Sequence, residues 1–134
     1  MSKCLLIVDD NSDLRLMLRR MFESDGYVVE EAAERQFGLK LAAKLHPDTI
    51  LLSLVPPLHE TAEAVRAFRE VARTAYLVVA WSPTGSDDLD PLELAGRAGA
   101  DSVLRKPFMP RELLKLAQRR SPGASIPGPQ ESTG

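Results

Sequence analysis

Four apolar runs in this chain end in polar side chains that could share a site. Leu5-Leu6-Ile7-Val8 leads into Asp9-Asp10, and Thr49-Ile50-Leu51-Leu52 into Ser53. Tyr76 through Trp81 leads into Ser82, and Ser102-Val103-Leu104-Arg105 into Lys106. An acid pair, two hydroxyls and an ammonium are groups that pair charge and can offer a nucleophile. Singly, each is what a strand shows on leaving the core, and Asp9-Asp10-Asn11 is also good helix-start chemistry. Ligands of open parallel sheets gather outside the carboxyl ends of the strands. Convergence of these groups on one edge therefore makes a candidate site. Ser53 limits its chemistry: a serine hydroxyl is far from ionised at neutral pH, and without an activating base it is a poor nucleophile.

The elements that position these groups alternate along the chain. Lys3 to Asp9 reads as the first strand, and Asn11 or Ser12 can cap the next helix by accepting from an orphan backbone N–H. In that helix Leu14, Leu18, Met21 and Phe22 share a face, with Arg15, Arg19 and Glu23 pointing outward. Asp25-Gly26 breaks it, and Tyr27 to Glu30 forms a second strand. Helix two spans Arg35 to Leu45 and stops before His46-Pro47, because proline disfavours helix in the residue before it. Strand three is Thr49 to Leu54. Helix three runs from Glu60 to Arg73, with Ala64, Val65, Phe68, Val71 and Ala72 apolar, and strand four is Tyr76 to Trp81. Ser82 to Asp90 reads as a loop. Asp90, Pro91 and Glu93 supply cap, first-turn proline and capping-box acid for a short fourth helix that Gly96 and Gly99 weaken. Strand five is Asp101 to Leu104, and helix five Pro110 to Arg120.

Strands that are continuously apolar rather than alternating are expected in parallel sheets covered on both faces. The β-α repetition predicts a three-layer α/β/α sandwich. Residues 1–120 are expected to form one domain. From Ser121 to Gly134 the chain turns to Pro, Gly and Ser, and too few apolar groups remain to offset the entropy of ordering it, which predicts a flexible tail. With 17 basic and 19 acidic residues, no cationic excess advertises nucleic acid or anionic lipid. The apolar runs fall well short of the ~20 residues of a membrane helix, and no cleavable signal is evident, so a cytoplasmic location is expected. Cys4, the one cysteine, permits no internal disulfide and reads as a small core residue.

Val8-Asp9-Asp10, the proline four residues after Ser53, Ala98-Gly99-Ala100-Asp101 and Lys106-Pro107-Phe108 together resemble the receiver domain of two-component response regulators, over residues 3 to 119. The resemblance implies a flavodoxin-like (βα)5 fold with a five-stranded parallel sheet of order 2-1-3-4-5. It implies that Asp9 and Asp10 are the magnesium acids, that the phosphate-accepting aspartate falls at Ser53, and that Lys106 is the phosphate lysine. It also implies a switch hydroxyl at the end of strand four, an aromatic switch residue at position 103, and a cis Lys106-Pro107 bond. Ser82 follows strand four directly. Counting back from Lys106 without gaps gives Thr84 instead, but that would extend the strand through Pro83, which favours Ser82.

Three departures from the family pattern point one way. Ser53 replaces the acceptor carboxylate, and an ester formed there would lack the lability of an acyl phosphate. Val103 replaces the aromatic residue. Leu58-His59-Glu60-Thr61 replaces the small Asp-Gly turn. Magnesium takes one or two carboxylates plus phosphate oxygens, so Asp9 and Asp10 alone make a weak or vestigial site, and no cofactor is required. Asp48 lies at the opposite end of strand three, a polar strand entrance. His59 and Glu60 read as solvated helix-start residues. Lys106, with no phosphate to receive, is expected to pair with Asp9 or Asp10 and hold the pocket in one state.

These features predict a non-enzymatic pseudo-receiver acting through protein contact, at the face of the fourth helix, fifth strand and fifth helix. Leu92, Leu94, Arg97 and Arg105 are its candidate contacts, and a second copy of the chain is one candidate partner. Trp81 reads first as a core or loop-packing aromatic and second as a part of that partner surface. With no DNA-binding segment after residue 120 of this sequence, direct transcriptional output is not expected unless the chain is a fragment. The alternative keeps magnesium-dependent phosphotransfer through Ser53 or a nearby acid. Binding of a small anion in the vacated pocket is a third reading. It has little backing, since Asn11-Ser12-Asp13 stands where a glycine-rich phosphate loop would.

Overall fold

Every second residue of the central strands faces one helical layer, and its neighbours face the other. In the computed structural model Leu6, Val8, Ile50, Leu52, Leu77 and Val79 join one buried cluster. Leu5, Ile7, Leu51, Val78 and Ala80 join a second. This two-sided burial explains why the strands read as unbroken apolar runs. The structure describes residues 3–54, 58–82 and 96–120, excepting the side chains of residues 58–61 and 120. Pro56, Pro57, Thr84, Leu92, Leu94, the start of the fourth helix and the proposed tail lie outside the described residues.

The strands are β1 (Cys4–Val8), β2 (Val28–Ala32), β3 (Thr49–Leu54), β4 (Tyr76–Trp81) and β5 (Ser102–Arg105). All pair in parallel in the order β2-β1-β3-β4-β5, as the family resemblance implies. The helices are α1 (Ser12–Ser24), α2 (Arg35–Leu45), α3 (Leu58–Val71), the helical residues 96–98 as α4, and α5 (Pro110–Arg120). Helices α1 and α5 pack together on one face and α2 and α3 on the other. The order reverses at β1 and β3, which places Asp9 and Ser53 at the switch point where such sheets bind ligands.

Local chemistry sets the element ends. Asn11 caps α1, its side-chain oxygen accepting from the backbone N–H of Asp13 and Leu14. The Glu112 carboxylate accepts from the Met109 N–H at 2.9 Å before α5. Gly38 of α2 lies so close to the sheet that an added Cβ would stand 2.8 Å from Val8 Cγ2 and 3.2 Å from Phe68 Cζ.

Several expectations need correcting. β2 runs Val28–Ala32 rather than Tyr27 to Glu30, because Tyr27 turns inward to pack edge-on against Phe22, ring centroids 4.9 Å apart. α3 begins at Leu58 and ends at Val71, and Val71, its last residue, is exposed rather than on the buried side. Cys4 is only half-buried, as the first residue of β1. Burial nevertheless pushes its thiol pKa up, helped by the charges of Glu30 and Asp48. Arg15 and Arg19 do not simply face outward: long guanidinium side chains reach back over the apolar surface, and both end on Glu31 of β2.

At the end of the sheet remote from the strand tips, Arg69 of α3 donates to the carbonyls of Ala72, Arg73, Ala75 and Gly99 and pairs with Asp101 at 2.7 Å. Asp101 also accepts from the Leu77 N–H at 2.8 Å. Gly99 adopts φ +121°, and an added Cβ would meet Arg69 Cγ at 3.1 Å. The Gly99 and Asp101 positions thus join the turn before β5 to the end of α3 and the start of β4.

Candidate functional site

β1 delivers Asp9 to the edge one residue past Val8, β3 presents Ser53 as its penultimate residue, and the chain leaving β5 brings Lys106 back toward both. The three side chains meet on one oxygen. Lys106 Nζ donates to Asp9 Oδ2 at 2.7 Å, and the Ser53 hydroxyl donates to the same atom. The other oxygen, Oδ1, accepts from the Asn11 backbone N–H at 2.8 Å. The Asp9 side chain is 0% exposed and that of Lys106 is 23% exposed, so the pair is sheltered from solvent screening. Burial by itself pushes the Asp9 carboxyl pKa up. Hydrogen bonds from Lys106, Ser53 and Asn11, with the lysine charge, outweigh it and hold the group below its ordinary value.

The backbone of residue 9 is held as well. Its N–H donates to the Ala32 carbonyl at 3.0 Å, and its carbonyl accepts from Arg15 Nη1 at 2.7 Å. Arg15 Nε in turn meets Glu31 Oε1 at 2.8 Å, and Arg19 bridges Glu31 to Glu23. Burial pushes Glu31 up, but hydrogen bonds from Arg19 and Arg15 outweigh it and keep the carboxyl low.

Asp9, Ser53 and Lys106 are therefore brought together, and Lys106 chooses Asp9 over Asp10. Asp10 is exposed at the rim. Ser82 is half-buried directly after β4. Val103 packs against the α2/α3-side core. The Lys106-Pro107 peptide is cis. Asp48 accepts from the Cys4 N–H at 2.7 Å at the far end of the sheet. Trp81 is buried in the core, the first of its two readings. Arg97 and Arg105 are exposed, while the side chains of His59 and Glu60 are outside the described residues. Arg15, Glu31 and the Asn11 amide are the participants that sequence reasoning missed. Arg15 lies one turn into α1, within reach of the strand that the helix follows, and that spacing was the available signal.

A sequence model of the response regulator receiver domain matches residues 5–118. The chain is similar to the KDP operon transcriptional regulatory protein KdpE of Escherichia coli, 37% identical over 128 residues that cover 93% of this chain and 55% of that one. It is 27% identical to the chemotaxis protein CheY of Halobacterium salinarum, covering 81% of this chain and 88% of that one. The chain thus spans about half the length of the first of these relatives. Among solved structures, the chemotaxis protein CheY4 of Vibrio cholerae superposes with a TM-score of 0.74 at 28% identity, covering 90% of this chain and 100% of that one. A CheY-like receiver domain protein from Methanospirillum hungatei reaches 0.77 at 26% identity, covering 90% and 94%. A Burkholderia pseudomallei response regulator, solved with a phosphorylated aspartic acid, a calcium ion and citrate, reaches 0.72 at 25% identity, covering 92% and 69%.

Proposed function

Because the chain belongs to the response regulator receiver family of two-component signalling, we propose that it is a pseudo-receiver, a cytoplasmic signalling module that works by protein contact without accepting a phosphoryl group. The carrying observation is that Asp9 Oδ2 takes both the Lys106 ammonium and the hydroxyl of Ser53, the residue at the acceptor position. The pocket satisfies its own charge. A phosphoryl acceptor needs an electron-rich oxygen and a lysine able to receive the product, and here each is engaged by the same carboxylate.

With Asp10 exposed at the rim, the donor set would hold magnesium weakly at most. A hard cation in octahedral geometry wants unengaged carboxylate oxygens. Asp9 offers two that already hold three donors, and the third family acid is replaced by a hydroxyl. Nor does the arrangement favour residual phosphotransfer through Ser53. Asp9 is placed to take the Ser53 proton, but a carboxyl held below its ordinary value is a weak base. The paired lysine likewise speaks against capture of a small anion. The module catalyses no reaction of its own, and its output lies on the α4-β5-α5 face around Arg97 and Arg105, both exposed.

Incubation with acetyl phosphate and Mg²⁺, followed by intact-mass measurement, tests the reading. The protein keeps its mass, while the Ser53→Asp variant gains one alkali-labile phosphoryl group. A labile adduct on the unmodified chain would overturn it, as would partner capture from native extract that depends on prior phosphorylation.

A further inference from the structure

Glu31 sits half-buried on the face of the sheet that α1 covers. It pairs in register with Ile7, and Val29, two residues earlier on the same face, lies in the core beneath α1. A carboxylate there is costly unless paired, and both of its partners come from α1: Arg15 and Arg19. Arg15 does more than neutralise it. The side chain, 18% exposed, is tethered by Nε to Glu31 while its Nη1 holds the carbonyl of residue 9. With the Asp9 N–H on the Ala32 carbonyl, both peptide groups of the residue that receives Ser53 and Lys106 are pinned between β2 and α1.

We propose that Arg15, braced by Glu31, is a positioning residue that sets the direction of the Asp9 carboxylate and so keeps the pocket closed. Resting on the pseudo-receiver reading for its meaning, this assigns the closure to a second tier of residues outside the pocket. The chain of contacts Glu23–Arg19–Glu31–Arg15–Asp9 runs from a side chain 48% exposed to one 0% exposed. It therefore gives the outer surface of α1 and β2 a physical connection to the site.

The Asn11 N–H reports the carboxylate direction because it donates to Asp9 Oδ1. Its solvent exchange, measured by NMR against that of Val79 in the central strand β4, separates local release from general unfolding. Arg15→Gln and Glu31→Gln each accelerate Asn11 exchange relative to Val79 by about tenfold, the net worth of one hydrogen bond. Arg15→Lys, which retains one donor, accelerates it less than Arg15→Gln. The two glutamine variants change the local charge in opposite senses, so a through-space effect would move Asn11 in opposite directions, and that result overturns the proposal. Equal acceleration of Asn11 and Val79 overturns it too, as does an unchanged Asn11. Exchange does not involve phosphoryl transfer, so a chain found to accept phosphate would refute the functional reading while leaving this measurement intact.

Discussion

Lys106 and Asp9, 97 residues apart in sequence, form a 2.7 Å ion pair whose acid has no solvent exposure. The pair has a definite pH signature. The Asp9 carboxyl is held below its ordinary value by Lys106, Ser53 and Asn11, so the folded state binds this proton more weakly than the unfolded chain. Its contribution to stability is fully present above the unfolded value, fades as pH falls below about 4, and is gone beneath the folded value. Denaturant melts of the protein and its Asp9→Asn variant are therefore expected to differ most at neutral pH, by about 1–3 kcal/mol, and to converge as pH falls through the folded value. A gap that widens on acidification would place the stabilising ionisation elsewhere.

Replacing Ser53 with aspartate removes a donor from Asp9 Oδ2 and sets a second carboxylate against it. Like charges in a shared site oppose ionisation, so Ser53→Asp should be less stable than the parent in EDTA, by about 1–2 kcal/mol. Millimolar Mg²⁺ should restore much of the loss, since three acids make a hard-cation site where two and a hydroxyl do not. The parent's melting temperature stays the same in Mg²⁺ and in EDTA. If Mg²⁺ raises the parent's melting temperature as far as the variant's, serine has not disabled the metal site.

Arg69 joins α3, the turn before β5 and the start of β4 through five partners. Its pair with Asp101 is partly exposed, 24% and 38%, so charge alone contributes little. The carbonyls matter more, because deleting the guanidinium strands several acceptors together. Arg69→Ala should cost about 2–3 kcal/mol in urea unfolding and Asp101→Asn less than half of that. Equal losses would mean that the ion pair, not the carbonyl contacts, dominates.

The sequence made the layered fold legible because the strands are apolar on both faces and the helices carry recognisable caps such as Asn11. The strand order came from the family resemblance rather than from patterning. Asp9, Ser53 and Lys106 could be placed at one edge because each ends an apolar run. The supporting tier was hidden for a traceable reason. Ending β2 at Glu30 left Glu31 outside the strand, so its place under α1 and its need for Arg15 and Arg19 could not be seen. A helical wheel then sent both arginines to solvent, since it tracks where a side chain starts and not where a long one ends. Arg69 was missed similarly, because its partners are mostly backbone carbonyls that no residue pattern advertises.

Gly38 gives the sharpest test of packing. In an exposed helix alanine would be favoured over glycine by about 1 kcal/mol, and Gly38 lies within α2. Here an added methyl would stand 2.8 Å from Val8 Cγ2 and 3.2 Å from Phe68 Cζ, closer than packed carbons tolerate. Val8 immediately precedes Asp9, so relief by moving β1 would disturb the pocket as well. Gly38→Ala should therefore destabilise by about 1–3 kcal/mol despite its better helix propensity. Val8→Ala removes the obstructing methyls, so the double variant should be more stable than the two single losses sum to, by more than about 0.5 kcal/mol. Strict additivity in urea melts would show that α2 simply shifts to admit the methyl, and that the close approach of this helix to β1 does not hold Asp9 in place.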